Sequence, residues 1–141
     1  PFNLKGQKEM GKDDFRKIPN GAAGIEHRLS LFYTYGVRTG RLDLNQFVDM
    51  TSTRAAKIFG LYPRKGSVTV GADADLVVWD PDATGTISVK THHHNVDYNI
   101  FEGFEVQGQA SSVVVNGRVQ YQNGDLKVEK GAGRYLERTF K

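Results

Sequence analysis

The spacing of apolar residues changes near residue 62, and this change constrains the fold more than any other feature of the chain. Before it, apolar residues recur at the spacing of an amphipathic helix; after it, they follow the alternation of a strand. The pair Asn116-Gly117 lies between two β-rich runs, which is a strong hairpin signal. The sequence therefore predicts an α/β chain, with helices before residue 62 and strands after it.

The first predicted helix follows a long polar opening. Residues 1–24 are rich in turn-forming pairs and predict a loop. Ile25, Leu29 and Phe32 then share one face at helical spacing, and Gly40 is a suitable end.

A second helix is predicted to begin at Asp43, a natural N-cap with Gln46 three residues later, as in a capping box. The hydroxyl-bearing residues 51–53 offer a second N-cap, which favours a separate short helix ending at Gly60 over one long helix.

The second part of the chain predicts strands and turns. The run Leu76-Val77-Val78-Trp79 is apolar throughout, which predicts a strand buried on both faces and ended by Pro81. A further turn is expected at Asn123-Gly124. The predicted strands cover residues 67–70, 75–80, 86–89, 104–110, 112–115, 119–122 and 126–129.

Composition excludes several functional classes. Among 141 residues, 19 are basic and 16 acidic. The basic residues are scattered and the net charge is only +3, so the composition does not indicate a nucleic-acid partner. The absence of cysteine excludes disulfides, a thiol nucleophile and zinc–thiolate sites. No stretch reaches the ~20 apolar residues of a membrane span. The opening Pro1-Phe2-Asn3 suggests that the sequence begins inside something longer.

His92-His93-His94 is the most conspicuous polar cluster, with Asp97 nearby. A metal site is conceivable, but successive side chains of a strand point to opposite faces and do not converge on one ion without a bend. The pattern favours a solvated loop or a packing role.

Charged clusters elsewhere favour structural roles. Asp73, Asp75, Asp80 and Asp82 bracket an apolar strand, and their spacing lacks the pattern of a calcium loop, so capping is favoured over catalysis. The run 12–14 is interpreted as a solvated face. No phosphate loop, nucleophile elbow or dinucleotide fingerprint is present.

The dipeptide Asn20-Gly21 is the loop feature that most favours a binding role. Pro19 fixes φ before it and Gly21 frees the backbone after it, so the turn can present amide and carbonyl groups to a ligand. From the residues alone, an ordinary tight turn is the favoured interpretation.

Residues 65–80 resemble the segment in which amidohydrolase-superfamily chains return from their barrel to a small β-sandwich. Further stretches resemble the C-terminal part of the dihydropyrimidinases, also called D-hydantoinases, and the resemblance covers essentially all 141 residues. These stretches are residues 2–3, 6–8, 11–15, 18–21, 45–48, 51–53, 55–57 and 99–103.

The resemblance implies the C-terminal part of a (β/α)8 barrel in residues 1–62 and strands of a β-sandwich, with a tail, in residues 63–141. It implies a cytoplasmic, homotetrameric enzyme in which a hydroxide bridging two zinc ions attacks the ring amide of dihydropyrimidines or hydantoins. The family's metal ligands match positions preceding Pro1, so no residue here is expected to be catalytic or to bind metal. Asn20 matches a residue that contacts the substrate ring through its backbone.

Two alternatives stay open at this stage. Non-catalytic dihydropyrimidinase-related proteins, which act in assembly or regulation, resemble this region but tend to carry Glu at position 20, so Asn20 favours the catalytic branch. A free-standing β-rich binding module is disfavoured, because the apolar faces of the barrel helices would lie in water. The residues concerned are Ile25, Leu29, Phe32, Phe47 and Val48.

Overall fold

The computed structural model describes residues 2–138, in which helices precede a sheet, as the change in apolar spacing predicts. None of the described helices is long and apolar enough to cross a membrane. The α-helices are α1 (Arg28–Phe32), α2 (Leu44–Val48) and α3 (Arg54–Ile58), and the strands are β1 (Leu76–Thr86), β2 (Glu105–Val115), β3 (Arg118–Gln122) and β4 (Asp125–Leu126). Short 3-10 turns cover Lys8–Gly11, Phe15–Lys17 and Ile25–His27, and π turns cover Tyr33–Val37 and Asp49–Thr53.

The first predicted helix is confirmed as one continuous helical run over residues 25–37, with α1 at its centre. The hydroxyl of Thr34 links the helix to β2, because it accepts from the N–H of Gln107 at 3.0 Å and lies 2.7 Å from the carbonyl oxygen of Ser30 and 3.0 Å from that of Gln107. The helix is therefore pinned directly to the sheet. Gly40 follows with a φ of +72°, as expected after a helix end.

The second helical run shows the predicted capping box at Asp43 and Gln46. The separate cap predicted at residues 51–53 is wrong, because the backbone stays helical from α2 through the π turn into α3. The threonine hydroxyls of this segment bind backbone carbonyls and do not cap a helix. Thr51 donates to the carbonyl of Phe47 and Thr53 to that of Gly66, both at 2.7 Å, so neither caps a new helix.

The strands among the described residues form one antiparallel sheet in the order β1-β2-β3-β4. The predicted hairpin joins β2 to β3, with φ of 50° at Asn116 and 74° at Gly117, the conformation that makes Asn-Gly favourable there. Asp75 accepts a hydrogen bond from the N–H of Asn116 at 2.8 Å and so ties the hairpin to the start of β1.

Several predicted strand boundaries are wrong. Pro81 does not end β1, because a register shift between Asp80 and Thr84 accommodates it as a bulge. β1 therefore runs to Thr86, and the separate strand predicted over 86–89 is absent. β2 is one continuous strand where two were predicted, and β4 has two residues where four were expected.

Two predictions about the apolar segments fail for lack of a packing partner. Residues 67–70 form no strand, and Val68 and Val70 lie exposed. Leu76, Val77 and Val78 of β1 were expected to be buried on both faces, yet they are 38–55% exposed. The described residues form a single sheet, so no second sheet covers this part of β1.

The core is small and aromatic. Tyr33, Phe47 and Trp79 pack with ring centroids 5.4–5.9 Å apart, between the helical runs and the sheet. The buried apolar residues are Ala23, Tyr33, Phe47, Ala56, Ile87 and Val106. Of the five helix residues expected to face water, Ile25 and Val48 are exposed and Leu29 and Phe32 half-buried, whereas Phe47 is buried because Trp79 covers it.

Candidate functional site

The turn Pro19-Asn20-Gly21 lies at the surface and is held on both sides of Asn20. The ammonium of Lys8 donates to the carbonyl of Pro19 at 2.7 Å, in a partly buried bond. The hydroxyl of Tyr98 donates to the carbonyl of Gly21 at 3.3 Å. Lys8 also lies 6.0 Å from the centroid of the Tyr98 ring, so the two anchors contact each other. We call these two side chains the Lys8–Tyr98 clamp.

Asn20 itself is exposed, and no hydrogen bond among residues 2–138 uses its backbone N–H or carbonyl. Gly21 has a φ of 99°, a conformation that favours glycine. A donor and an acceptor are therefore left free on a short, restrained turn.

The preceding loop is shaped by local contacts that bring Lys8 and the turn together. Asp14 caps the turn Phe15–Lys17 and pairs with Arg16 at 2.9 Å, and this hydrogen-bonded guanidinium lowers the pKa of Asp14. Gly11 lies so close to Ile18 that an added Cβ would fall 1.9 Å from its Cγ1. The loop thus doubles back tightly between Lys8 and Pro19.

Asp97 anchors the beginning of the described chain. Its carboxylate accepts the N–H groups of Leu4 at 2.6 Å and of Lys5 at 3.1 Å, and these bonds lower its pKa. Asp97 is therefore engaged with the opening segment and not with the histidines that precede it. The same bonds hold the Lys8 segment beside Tyr98.

The histidine run lies against the start of the first helical run. His93 contacts Glu26 through its N–H at 2.8 Å and its Nδ1 at 2.6 Å, while the His94 ring lies near those of His92 and His27. Sequence inspection missed His27 as a member of this group, because no spacing signal links it to residues 92–94. Within residues 2–138, no group of three or more potential ligands is placed to hold a metal ion.

Burial and hydrogen bonding set the charges of this group. Burial raises the pKa of Glu26, but the hydrogen bonds from His93 outweigh it and the net shift is downward. Burial lowers the pKa of His27, and the neighbouring histidines add to that effect against the opposing charge of Glu26. The arrangement resembles a packing contact between a loop and a helix.

Three of the four aspartates around β1, namely Asp73, Asp75 and Asp80, have structural partners among the described residues. Asp73 pairs with Arg64 at 3.0 Å and Lys65 at 3.1 Å, and the hydrogen bond from Lys65 is the main reason that its pKa is low. Lys65 also pairs with Asp75. Asp80 accepts the N–H groups of the two residues at the bulge, Asp82 and Ala83, at 3.0 and 3.2 Å.

The Asn20 turn offers one backbone donor and one backbone acceptor without partners among residues 2–138, and neither group is suited to proton transfer or nucleophilic attack. Adjacent N–H and carbonyl groups are complementary to a ring that offers an amide or imide edge. Lys8 and Tyr98, which restrain the turn, were not identified from sequence, because their distances of 11 and 77 residues from their carbonyl partners leave no local pattern.

The chain is similar to proteins of known activity. The family model described as "Amidohydrolase family" matches residues 16–120. The chain is 53% identical over 132 residues to the dihydropyrimidinase of Rattus norvegicus, covering 94% of this chain and 25% of that protein. It is 51% identical over 138 residues to the D-hydantoinase of Geobacillus stearothermophilus, covering 98% of this chain and 29% of that protein.

A solved structure supports the same relationship. The D-hydantoinase from a Bacillus sp. AR9 superposes with a TM-score of 0.96 at 53% identity, covering 100% of this chain and 31% of that one. The chain thus spans about a quarter to a third of the relatives that it matches. Since the family model covers most of its length, the chain belongs to the amidohydrolase family.

Proposed function

We propose that this chain is the C-terminal segment of a zinc-dependent cyclic amidase that hydrolyses the ring amide of dihydropyrimidines or hydantoins. Its similarity to a dihydropyrimidinase and to D-hydantoinases supports this function. These relatives are enzymes, which favours a catalytic parent over a non-catalytic assembly protein. In this proposal residues 1–62 complete a (β/α)8 barrel and residues 63–141 belong to a β-sandwich and its tail.

The role proposed for this segment is to bind the substrate ring through Asn20. The observation that carries it is the exposed turn whose N–H and carbonyl have no partner among residues 2–138, while both flanking carbonyls are held. The N–H would donate to a ring carbonyl and the carbonyl would accept from a ring N–H. Together they orient the amide for attack without taking part in bond breaking.

The metal ions of the proposal do not fit the residues described here, since no three potential ligands converge among residues 2–138. They would be held by the rest of a longer parent protein. The 141-residue chain by itself is therefore expected not to hydrolyse dihydrouracil.

The exposed apolar surface supports close association with further protein. A groove of about 1000 Å³ runs beside Ile25, Phe32, Leu42 and Met50, and its lining is mainly apolar. Burying such a surface is favourable in proportion to its area. We propose that the remainder of the barrel covers it, in a cytoplasmic homotetramer whose only other partner is the small cyclic substrate.

A hybrid enzyme tests the proposed function. The matching segment of the Geobacillus stearothermophilus D-hydantoinase is replaced by this chain, and zinc-dependent hydrolysis of hydantoin and dihydrouracil is measured. We expect activity in the hybrid and none in the isolated chain. A folded hybrid without activity, or zinc-dependent turnover by the isolated chain, would contradict the proposal.

Two substitutions in the hybrid then separate backbone from side chain at position 20. Asn20→Pro deletes the N–H and is expected to lower kcat/KM further than Asn20→Ala, which deletes only the side-chain amide. Asn45→Ala is the matched control, because Asn45 is an exposed asparagine on α2. If all three variants keep the parent rate, Asn20 has no part in substrate binding.

A further inference from the structure

We infer that Lys8 and Tyr98 are positioning residues that aim and polarise the backbone of Asn20 toward the substrate ring. This inference rests on the proposed function and names the groups that make its binding turn effective. The starting point is the Lys8–Tyr98 clamp, which holds the carbonyls of Pro19 and Gly21.

The bond from Lys8 fixes the direction of the Asn20 N–H. The carbonyl of Pro19 and the N–H of Asn20 belong to one peptide unit, which is planar and, when trans, points these groups in opposite directions. Lys8 holds that carbonyl at 2.7 Å from a half-buried position. With one end of the plane held, the N–H at the other end has a defined direction.

The same bond makes the Asn20 N–H a stronger donor. Hydrogen bonds that share a peptide unit polarise one another, and the effect is larger when one donor is charged. The ammonium of Lys8 draws electron density toward the Pro19 oxygen and leaves the Asn20 N–H more positive. A ring carbonyl is the class of acceptor that benefits.

Tyr98 restrains the other side of the turn. Its hydroxyl holds the carbonyl of Gly21, which has a φ of 99°. Glycine has the widest backbone freedom, so a bond at its carbonyl limits the motion that would turn the Asn20 carbonyl away. Tyr98 lies one residue beyond Asp97, which ties this loop to Leu4 and Lys5 and so keeps Lys8 and Tyr98 together.

The test uses the hybrid enzyme described above and the variants Lys8→Met, Lys8→Arg and Tyr98→Phe. We expect Lys8→Met to lower kcat/KM about tenfold or more, as the loss of a charged hydrogen bond would. Lys8→Arg keeps the charge and the donor and is expected to recover most of this loss. Tyr98→Phe removes a neutral bond and is expected to cost about threefold.

Matched controls separate positioning from general effects. Lys17→Met removes an exposed lysine of the same loop, and Tyr135→Phe removes the hydroxyl of an exposed tyrosine; neither is expected to change kcat/KM. Hydrogen–deuterium exchange of the peptide spanning residues 18–23 supplies a second measurement. It should become faster in Lys8→Met and Tyr98→Phe than in the controls.

The outcomes distinguish this inference from the proposed function. If Asn20→Pro is impaired while Lys8→Met behaves like Lys17→Met in both rate and exchange, the turn binds substrate and the clamp has no positioning role. If Lys8→Arg is as impaired as Lys8→Met, charge and donor capacity at this position do not matter and the inference is overturned. A folded but inactive hybrid overturns the proposed function, and this inference with it.

Discussion

Gly108 is a residue at which the aromatic core is sensitive to a small change. It lies in β2 with a φ of +90°, and an added Cβ would fall 2.3 Å from Cδ1 of Tyr33 and 3.0 Å from Nε1 of Trp79. Gly108→Ala is therefore expected to lower the free energy of unfolding by about 2–4 kcal/mol, through overpacking and a strained backbone. Urea unfolding followed by the fluorescence of Trp79, the single tryptophan, measures this change.

Gly133→Ala is the control for the Gly108 substitution. A Cβ added at Gly133 would meet no heavy atom within 4 Å, and the residue is exposed. The unfolding midpoint of this variant is expected to match that of the parent. Equal midpoints for the two variants would show that Tyr33 and Trp79 move aside at no cost.

At the scale of single residues, the sequence predicts those features that depend on one short segment of the chain. Asn20 could be identified as a binding candidate because Pro19 and Gly21 are its immediate neighbours. The hydrogen-bond partners of the carbonyls on either side of Asn20 could not be identified in this way, because Lys8 and Tyr98 are brought to the turn by the packing of distant segments.

Among the elements, α2 depends most clearly on a single cap. Asp43 accepts the N–H of Gln46 at 2.8 Å, and the Gln46 side chain accepts the N–H of Asp43 at 2.9 Å. Asp43→Ala is expected to lower the free energy of unfolding by about 1 kcal/mol, since the N–H of Gln46 loses its partner. Because α2 carries Phe47 into the aromatic core, Trp79 fluorescence reports this loss as well.

Asp13→Ala controls for the loss of a carboxylate. Asp13 is exposed, and no hydrogen bond within residues 2–138 uses its side chain, so its removal should leave the unfolding midpoint unchanged. A midpoint for Asp43→Ala equal to that of Asp13→Ala would show that the capping box adds nothing to stability.

The elements also show where sequence patterns succeed and fail. The Asp43 cap and the Asn116-Gly117 hairpin were predictable because each is decided within four residues. The extension of β1 beyond Pro81 was not, since the bulge depends on the register against Gln107 and Gln109 of β2. The strand predicted over residues 67–70 does not form, for a related reason. An alternation of apolar and polar residues does not by itself provide a neighbouring strand to pair with.

For the whole molecule, ionisation predicts a loss of stability in acid in two stages. Burial lowers the pKa of His27 below its ordinary 6.5, so the unfolded chain takes up that proton first and stability falls as the pH drops below about 6.5. Backbone hydrogen bonds lower the pKa of Asp97, whereas at Asp75 burial raises the pKa and the hydrogen bonds outweigh it. Further stability is therefore lost below about pH 4 as these two carboxylates are protonated. Urea midpoints at about pH 7.5, 5 and 3.5 measure both stages.

His27→Gln separates the two stages. The variant has no imidazole at position 27 to protonate, so its loss of stability between about pH 7.5 and pH 5 should be smaller than that of the parent. The loss below about pH 4 should persist, because Asp97 and Asp75 remain. An unchanged upper stage would show that burial of His27 does not affect folding.

The bonds from Asp97 to Leu4 and Lys5 have a consequence for the order of assembly. They join residues that are 93 and 92 positions apart, whereas β2 and β3 are joined through a turn of two residues. Closing a long loop costs more chain entropy than closing a short one, so we expect the hairpin to form early and the opening segment to dock late. On a ribosome, residues 2–8 emerge long before Asp97 and Tyr98 are synthesised, so the Asn20 turn gains its restraints only at that late step.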